Sequence, residues 1–444
     1  MSGARSLDRE RALAAVRAAV EHGRRAGAET VATLYGGRSA NVRFARNEIT
    51  SAGDVLDGTL TVTCALGKRH GSFSLNQTDD RSIERAVRMA LDLARLSPDD
   101  PEWMPPLGPQ RHASPQSRDA ATAQASAAVR ADAVATAVQE ATGAGLDAAG
   151  YIEHGDRVVA LATSAGLEAF HEFTEASMSA TFRGGDGSGW AAAASHRASD
   201  IRADSVARTA SRKASQSRQP RALDPGRYTV VLEPEAVANL LGVFIGHLDA
   251  RRADEGRSFF ARPGGTRLGE RLFPAWLTIR SDPSDTLAPA SPFDGEGLPL
   301  EPAAWVEGGA LQRFVRSRYW AKKSGQPPVG APSSVLIDGG KGSVDDLVAR
   351  VQRGLLVTRL WYIRSVDPQT MLVTGLTRDG LFLIEAGRVV GPARNFRFNE
   401  SPAAVLANAE AAGSAVRVRA GGSGWRVPPL LSHSFQMASP SDAV

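Results

Sequence analysis

From Pro234 onward the apolar residues Val237, Leu240, Leu241, Phe244, Ile245 and Leu248 recur at intervals of three and four. That spacing puts side chains on one broad face of an α-helix. Asp249, Arg251, Arg252, Asp254 and Glu255 follow at once, and Gly256 supplies a stop. A buried helix within residues 232–260 is therefore predicted, and a core of bulky residues must gather around it. It carries a single histidine, His247. A metalloprotease helix would place two histidines and a glutamate here, the imidazoles ligating zinc and the carboxylate activating its water. The apolar part of this helix has one histidine and no carboxylate.

The chain before it changes period several times. Residues 8–27 open with Asp8 as N-cap, carry Leu13, Val16 and Val20 on one stripe and end at Gly27, which predicts a surface helix. TVATLYGG, ANVRFARNEIT, LDGTLTVTCALG and KRHGSFSLN then alternate apolar and polar residues, with glycine pairs or Gly-Asp turns between them. They predict a small antiparallel sheet of three or four strands. Asp79 and Asp80 cap ERAVRMALDLARL, a helix with Ile83, Val87 and Leu91 facing inward. Residues 97–118 are proline-rich and lack periodicity, so they read as a loop, and the alanine-rich stretch 119–149 is helix-prone. Strands return over 151–198, with hairpin turns near Gly155, Gly166 and residues 184–189, followed by a polar-faced helix from Asp204 to Arg218.

Pro220, with Asp224-Pro225-Gly226 close behind, marks the best boundary between an N-terminal domain (1–220) and a C-terminal one (221–444). Beyond it YTVVLEP and LFPAWLTIRSDP read as strands, and Gly308-Gly309 marks a hairpin within AAWVEGGALQRFVRSRYWA. GLLVTRLWYIRSV, TMLVTGLTRDG, LFLIEAGRVV and FRFNESP read as further strands, and the Gly-, Ser- and Pro-rich tail after Ala412 is expected to be partly extended. The fold class is α+β: an N-terminal layer of antiparallel sheet and helices, then a predominantly β domain carrying the helix described first.

Charge and motif content narrow the function. The 52 basic residues are mostly arginine, spread among 48 acidic ones for a net charge of +4, and no basic run is interleaved with aromatics. No nucleic-acid partner is expected. No segment reaches the roughly 18 consecutive apolar residues of a membrane span, and MSGARSLDRERAL lacks an apolar signal core. A cytoplasmic protein without a membrane partner is expected. The single cysteine, Cys64, excludes an internal disulfide and fits a buried strand position in TLTVTCALG. No two of the eight histidines lie within a helical turn of each other, so a local zinc cluster is excluded while a site assembled from distant residues stays open. GGDGSG at 184–189 sits between strand-like segments and reads as a hairpin turn, DGGKGS at 338–343 lacks P-loop spacing, and GGSGW around Ser423 does not fit a nucleophile elbow. Asp294 and Glu296 in FDGEG supply far fewer than the six or so oxygens that calcium takes, so a turn shaping a cleft wall is expected.

Taken together, VRFARNEIT, GKRHGSFSLNQTDDRSIERAVRMALDLAR, TSAGLEAFHEFTEASMSATFRGGDGSGW, PGRYTVVLEPEAVANLL, GRSFF, SPFDGEGLP and GLLVTRLWYIRSVDPQTMLVTGLTRDGLFLIEAGRVVGPARNFRFNESP resemble the TldD/PmbA family of metallopeptidase-related proteins over nearly the whole chain. In that family the catalytic, TldD-type members carry His-Glu-x-x-x-His on this helix and a cysteine near the carboxyl end. Laid on VFIGHLDARRADEG, the motif puts Gly242 at the first histidine, Val243 at the glutamate and His247 at the second histidine, while no cysteine stands around Ala420 and Gly421. The resemblance thus implies a PmbA/TldE-like subunit in which no residue is catalytic and this chain binds no metal. Zinc or a similar divalent ion is expected in a TldD-like partner. Together they would enclose a cavity for an extended peptide, with His247, Asp294 and Tyr319 as candidates to line it. Two alternatives are a complex acting on a small amide-containing intermediate of antibiotic biosynthesis, and a binding or scaffold protein without a catalytic partner.

Overall fold

The computed structural model describes residues 7–420 and 424–441. Helix α1 (Arg9–Arg25) begins where the Asp8 carboxylate accepts the Arg11 N–H, and it buries Leu13, Val16 and Ala19. Strands β1 (Glu29–Ala45) and β2 (Glu48–Leu66) then pair antiparallel along their whole length. Arg46 and Asn47 join them, both at positive φ, as a two-residue hairpin requires. β3 (Arg69–Leu75) follows, and Asp79 caps α2 (Asp80–Leu96) by accepting the Ser82 N–H. The loop to residue 119 is irregular, as expected, and α3 (Ala120–Ala123) and α4 (Ala127–Gly143) lead into β4 (Asp147–Thr163), β5 (Glu168–Gly184), β6 (Gly187–Ser195) and α5 (Ala203–Gln216).

These strands form one six-stranded sheet in the order β3-β2-β1-β4-β5-β6. Along most of their length the even-numbered positions of β1, β4 and β5 face the helices: Leu34, Val42, Phe44, Ile152, Met178 and Phe182 are buried among side chains of α1, α2, α4 and α5. The odd positions present Tyr35, Ser39, Arg43, Tyr151, Glu153, Arg157, Glu175 and Ser177 on the opposite, polar face, which is the two-sided pattern of an antiparallel sheet.

Three of the expected turns are not turns. Gly36-Gly37, Gly53-Asp54 and Gly155 lie inside uninterrupted strands. A Cβ on Gly36 would come 2.6 Å from the Gly58 Cα, and one on Gly37 would come 2.1 Å from the Asp156 carbonyl oxygen. There glycine serves close approach between strands.

The second half opens with β7 (Gly226–Leu232), α6 (Pro234–Gly246) and α7 (Ala250–Asp254), then a small hairpin of β8 (Ala261–Arg262) and β9 (Gly265–Thr266). β10 (Ile279–Ser281), β11 (Ala303–Glu307), β12 (Ala310–Leu311), α8 (Arg318–Ser324), β13 (Val335–Ile337) and α9 (Val344–Val348) follow. The long strands β14 (Arg353–Asp367), β15 (Leu372–Glu385), β16 (Arg388–Pro392) and β17 (Phe396–Glu400) precede α10 (Pro402–Ala407), β18 (Ala409–Ala412), β19 (Val416–Arg417), β20 (Trp425–Val427) and β21 (Leu430–Pro440). One mixed sheet runs β12-β11-β10-β13-β20-β19. In the other, β14-β7-β21-β17-β15 closes on itself because β15 also pairs with β14. Val237, Leu240, Leu241 and Phe244 of α6 are buried between these sheets with Phe260, Phe273, Leu355 and Val357.

Several expectations are corrected here. The helix predicted to run past Asp254 breaks after Gly246, because His247 caps it and the Asp249 carboxylate restarts the chain as α7 by accepting the Arg252 N–H. Of LFPAWLTIRSDP only Ile279–Ser281 is strand, and the end of RFVRSRYWA is helical from Arg318, capped by Ser317. Asp379 and Gly380 sit within β15 at positive φ and make no turn. The tail is partly extended, as expected, and its β21 lies inside the closed ring between β7 and β17. No helix of the described residues is long and apolar enough to cross a membrane.

Burial holds two imidazoles neutral. His154 and His171 are 4 % and 5 % exposed, and desolvation lowers both pKa values from 6.5 to about 4, with Arg130 and Arg38 adding to the effect at His154. Between those values the unfolded chain binds more protons than the folded one, so stability is full above the unfolded pKa and falls as pH drops from 6.5 towards 4. Urea unfolding at pH 7 and pH 5 should show this loss, and a His154→Gln/His171→Gln double variant should flatten it.

Candidate functional site

Helix α6 is built to present its motif positions. Glu233 is its N-cap and Pro234 its first residue, where a proline's missing N–H has no helical partner to lose. The apolar face anchors the helix in the core, leaving Gly242 and Gly246 exposed and Val243 half-buried. His247 sits at the C-cap, almost buried, with Nδ1 2.9 Å from the Val243 carbonyl oxygen. Since a carbonyl only accepts, Nδ1 carries the hydrogen and Nε2 is the remaining ring nitrogen.

Arg419 and Ala420, shortly after β19, meet this helix. Glu235 Oε1 and Oε2 accept the backbone N–H groups of Arg419 (2.6 Å) and Ala420 (2.9 Å). Burial pushes the Glu235 carboxyl up, and these two N–H groups oppose the shift. The Trp425 ring lies 3.9 Å from where a Gly242 Cβ would be. Arg419 and Ala420 are thus tied to the first turn of α6, and Trp425 lies against the first motif position. Ala420 is described; Gly421 and Ser423 lie outside the described residues.

The residues present do not fit a zinc site. Gly242 and Val243 carry no donor and one His247 nitrogen is committed to a carbonyl, whereas zinc takes three protein ligands even in open sites. Among the described residues no three His, Cys, Asp or Glu side chains come together as a possible metal group.

The other two candidates stand apart from the motif. Asp294 holds a turn: its Oδ1 accepts the N–H groups of Glu296 and Leu298, both at 2.9 Å, and Phe293 beside it packs on Leu161 and Leu167 of the first half. Tyr319 lies on α8, where the Arg251 guanidinium of α7 is 6.0 Å from its ring centroid. The segment after His247 is joined to the one before α8 by backbone hydrogen bonds, Val315 N–H to Leu248 O and Ala250 N–H to Val315 O. Glu296, two residues beyond Asp294, pairs with Arg318 of α8 at 3.7 Å.

Sequence reasoning missed two clusters, both made where the halves meet. Lys213 Nζ of α5 is 2.6 Å from Glu233 Oε2 and donates to the Trp190 carbonyl. The Arg359 guanidinium lies 4.7 Å from the Trp190 ring centroid and pairs with buried Asp379, which accepts the Ser188 hydroxyl. A cavity of about 250 Å³ is lined by Glu153, Glu175, Ala176, Ser177, Ala194, Ser195, Arg417 and Arg419. The polar odd positions of β4 and β5 were a visible signal for the second cluster. No spacing signals the first.

Comparison with known proteins gives the class and then the family. Residues 33–94, 114–218 and 225–439 match, in order, the PmbA/TldA metallopeptidase domain 1, central domain and C-terminal domain. The metalloprotease PmbA of Escherichia coli O157:H7 is 26% identical over 366 residues, covering 76% of this chain and 77% of that protein. A metalloprotease of Methanothermobacter thermautotrophicus is 26% identical over 215 residues, 44% of this chain and 45% of that protein. The crystal structure of TldE from Thermococcus kodakarensis superposes with a TM-score of 0.84 at 20% identity, covering 96% of this chain and all of that one. These matches define a metallopeptidase-related chain of α+β fold. It belongs to the PmbA/TldD family.

Proposed function

We propose that this chain is the TldE-like, non-catalytic subunit of a cytoplasmic heteromeric metallopeptidase, closing the substrate cavity around a metal held by a TldD-like partner. The observation that carries this reading is the helix itself: α6 keeps the motif's frame but fills its first ligand and base positions with Gly242 and Val243. One imidazole does not hold zinc in a useful site, and without the glutamate there is no general base for a bound water. The chain's own contribution is then shape. The polar face of the first sheet, with Tyr151, Glu153 and Ser177, offers a wall, and an extended peptide can pair with exposed strand edges through main-chain hydrogen bonds, with little reading of side chains.

The test is coexpression with a TldD-type protein of the same organism, followed by sizing, metal analysis and a peptide assay. The two chains should elute together, with peptide cleavage only when both are present. His247→Ala should leave the metal content of the complex unchanged. Loss of that metal would make His247 a ligand supplied across the interface, and cleavage by the isolated chain would overturn the reading. Turnover of a small N-acyl compound in place of peptides would keep the subunit role and change the substrate class.

A further inference from the structure

The cavity of about 250 Å³ joins charged groups from both halves of the chain. Glu153 and Ser177 are cross-strand neighbours on β4 and β5, and Ser177 faces Ala194 of β6, so the three form a row on the polar face of the sheet. Glu175 lies opposite Gly155, and the missing side chain there leaves room for the Glu175 and Arg157 side chains. The two carboxylates share one guanidinium at long range: Arg157 Nη2 is 3.5 Å from Glu153 Oε1, and Arg157 Nε is 3.7 Å from Glu175 Oε2, while Glu153 Oε1 also accepts the Ser39 hydroxyl at 3.2 Å. A strong charge-assisted hydrogen bond is nearer 2.8 Å. Burial pushes the Glu175 carboxyl up, with Glu153 adding to the shift and the Arg157 and Arg417 guanidiniums opposing it.

The second half supplies Arg417 and Arg419. Arg417 Nη1 donates to the His196 Nδ1 (2.9 Å) and the Leu287 carbonyl (3.0 Å), which fixes its guanidinium at the cavity. Arg419 is fixed through its backbone, since its N–H is held by Glu235. Acidic groups from one domain and basic groups from the other thus line a space of about 250 Å³. That is below the ~300–1,000 Å³ of clefts that take drug-sized molecules, and it suits one or two amino-acid residues.

We propose that this cavity binds the amino-terminal residue of a peptide, with the ammonium against Glu153 and Glu175 and the first carbonyl oxygen against Arg417 and Arg419. An ammonium supplies three donors to two carboxylates whose guanidinium partner is 3.5 and 3.7 Å away and of which only Glu153 also accepts a hydroxyl, that of Ser39, and a guanidinium donates to a carbonyl. Because Glu235, which holds Arg419, lies seven residues before Gly242 on α6, the two are about 10 Å apart along the helix axis, the reach of about three extended residues.

Calorimetric titration of this chain alone tests the proposal without any partner, so its outcome is separate from that of the subunit role. The probes are tri-alanine amide and its N-acetylated counterpart. The free-amine peptide should bind at least tenfold more tightly than the acetylated one, and Glu175→Gln should erase that difference. Ala194→Leu, which fills the cavity without touching its charges, should weaken the free-amine peptide by a similar factor, with unchanged circular dichroism showing that the variant folds. Equal affinity for the two peptides, no binding of either, or an unchanged preference in folded Glu175→Gln would overturn the proposal.

Discussion

Replacing Glu233 with alanine is expected to destabilise the protein by about 3 kcal/mol, the lower end of what breaking a buried ion pair costs. Lys213 is 5 % exposed and its Nζ is 2.6 Å from Glu233 Oε2, so the substitution strands a buried ammonium beside only the Trp190 carbonyl. The lower end applies because the Glu233 side chain keeps 19% of its exposure. The pair also joins the two halves, α5 of the first to the N-cap of α6 in the second, so its loss should loosen their packing. Lys213→Met combined with Glu233→Leu should recover most of the loss, since an apolar pair leaves no charge to solvate. Urea unfolding of the single and double variants measures both effects.

Phe244→Ala is expected to cost about 3–5 kcal/mol. Its ring is fully buried on α6 and meets Phe260 and Phe273 edge-on, with centroids 5.7 and 5.6 Å away. The cavity left would be walled by two rigid rings and by the closed strand ring behind them, which have little freedom to collapse into it. The same urea series measures the loss, and an effect below about 1 kcal/mol would mean that α6 is not a core element.

Helix ends and alternating strands were legible in the sequence because their causes are local. Asp8 and Asp79 cap the helices they were expected to cap, and the strand faces follow a period of two. Gly36 and Gly37 were misread as turns because their cause is another strand, more than twenty residues away for Gly36 and more than a hundred for Gly37. The break after Gly246 was hidden because Leu248 continues the apolar spacing while serving as a buried link, and its carbonyl accepts the Val315 N–H from a distant segment. β21 was obscured by the glycine and proline around it, although LLSHSFQMAS alternates well enough for a strand.

At the site, the motif frame could be placed only through family resemblance. The residues alone gave one histidine in an apolar helix. The ties of Glu235 to Arg419 and of Gly242 to Trp425 join segments some 180 residues apart, and nothing in either segment announces the other.

The central claim is that α6 holds no metal and performs no hydrolysis by itself. The most direct measurement is the zinc content and peptide-cleaving activity of this chain purified alone after loading with zinc and gel filtration. The account predicts no stoichiometric zinc and no cleavage, with both found in the complex once a TldD-like chain is added. One zinc per isolated chain together with peptide hydrolysis would contradict it.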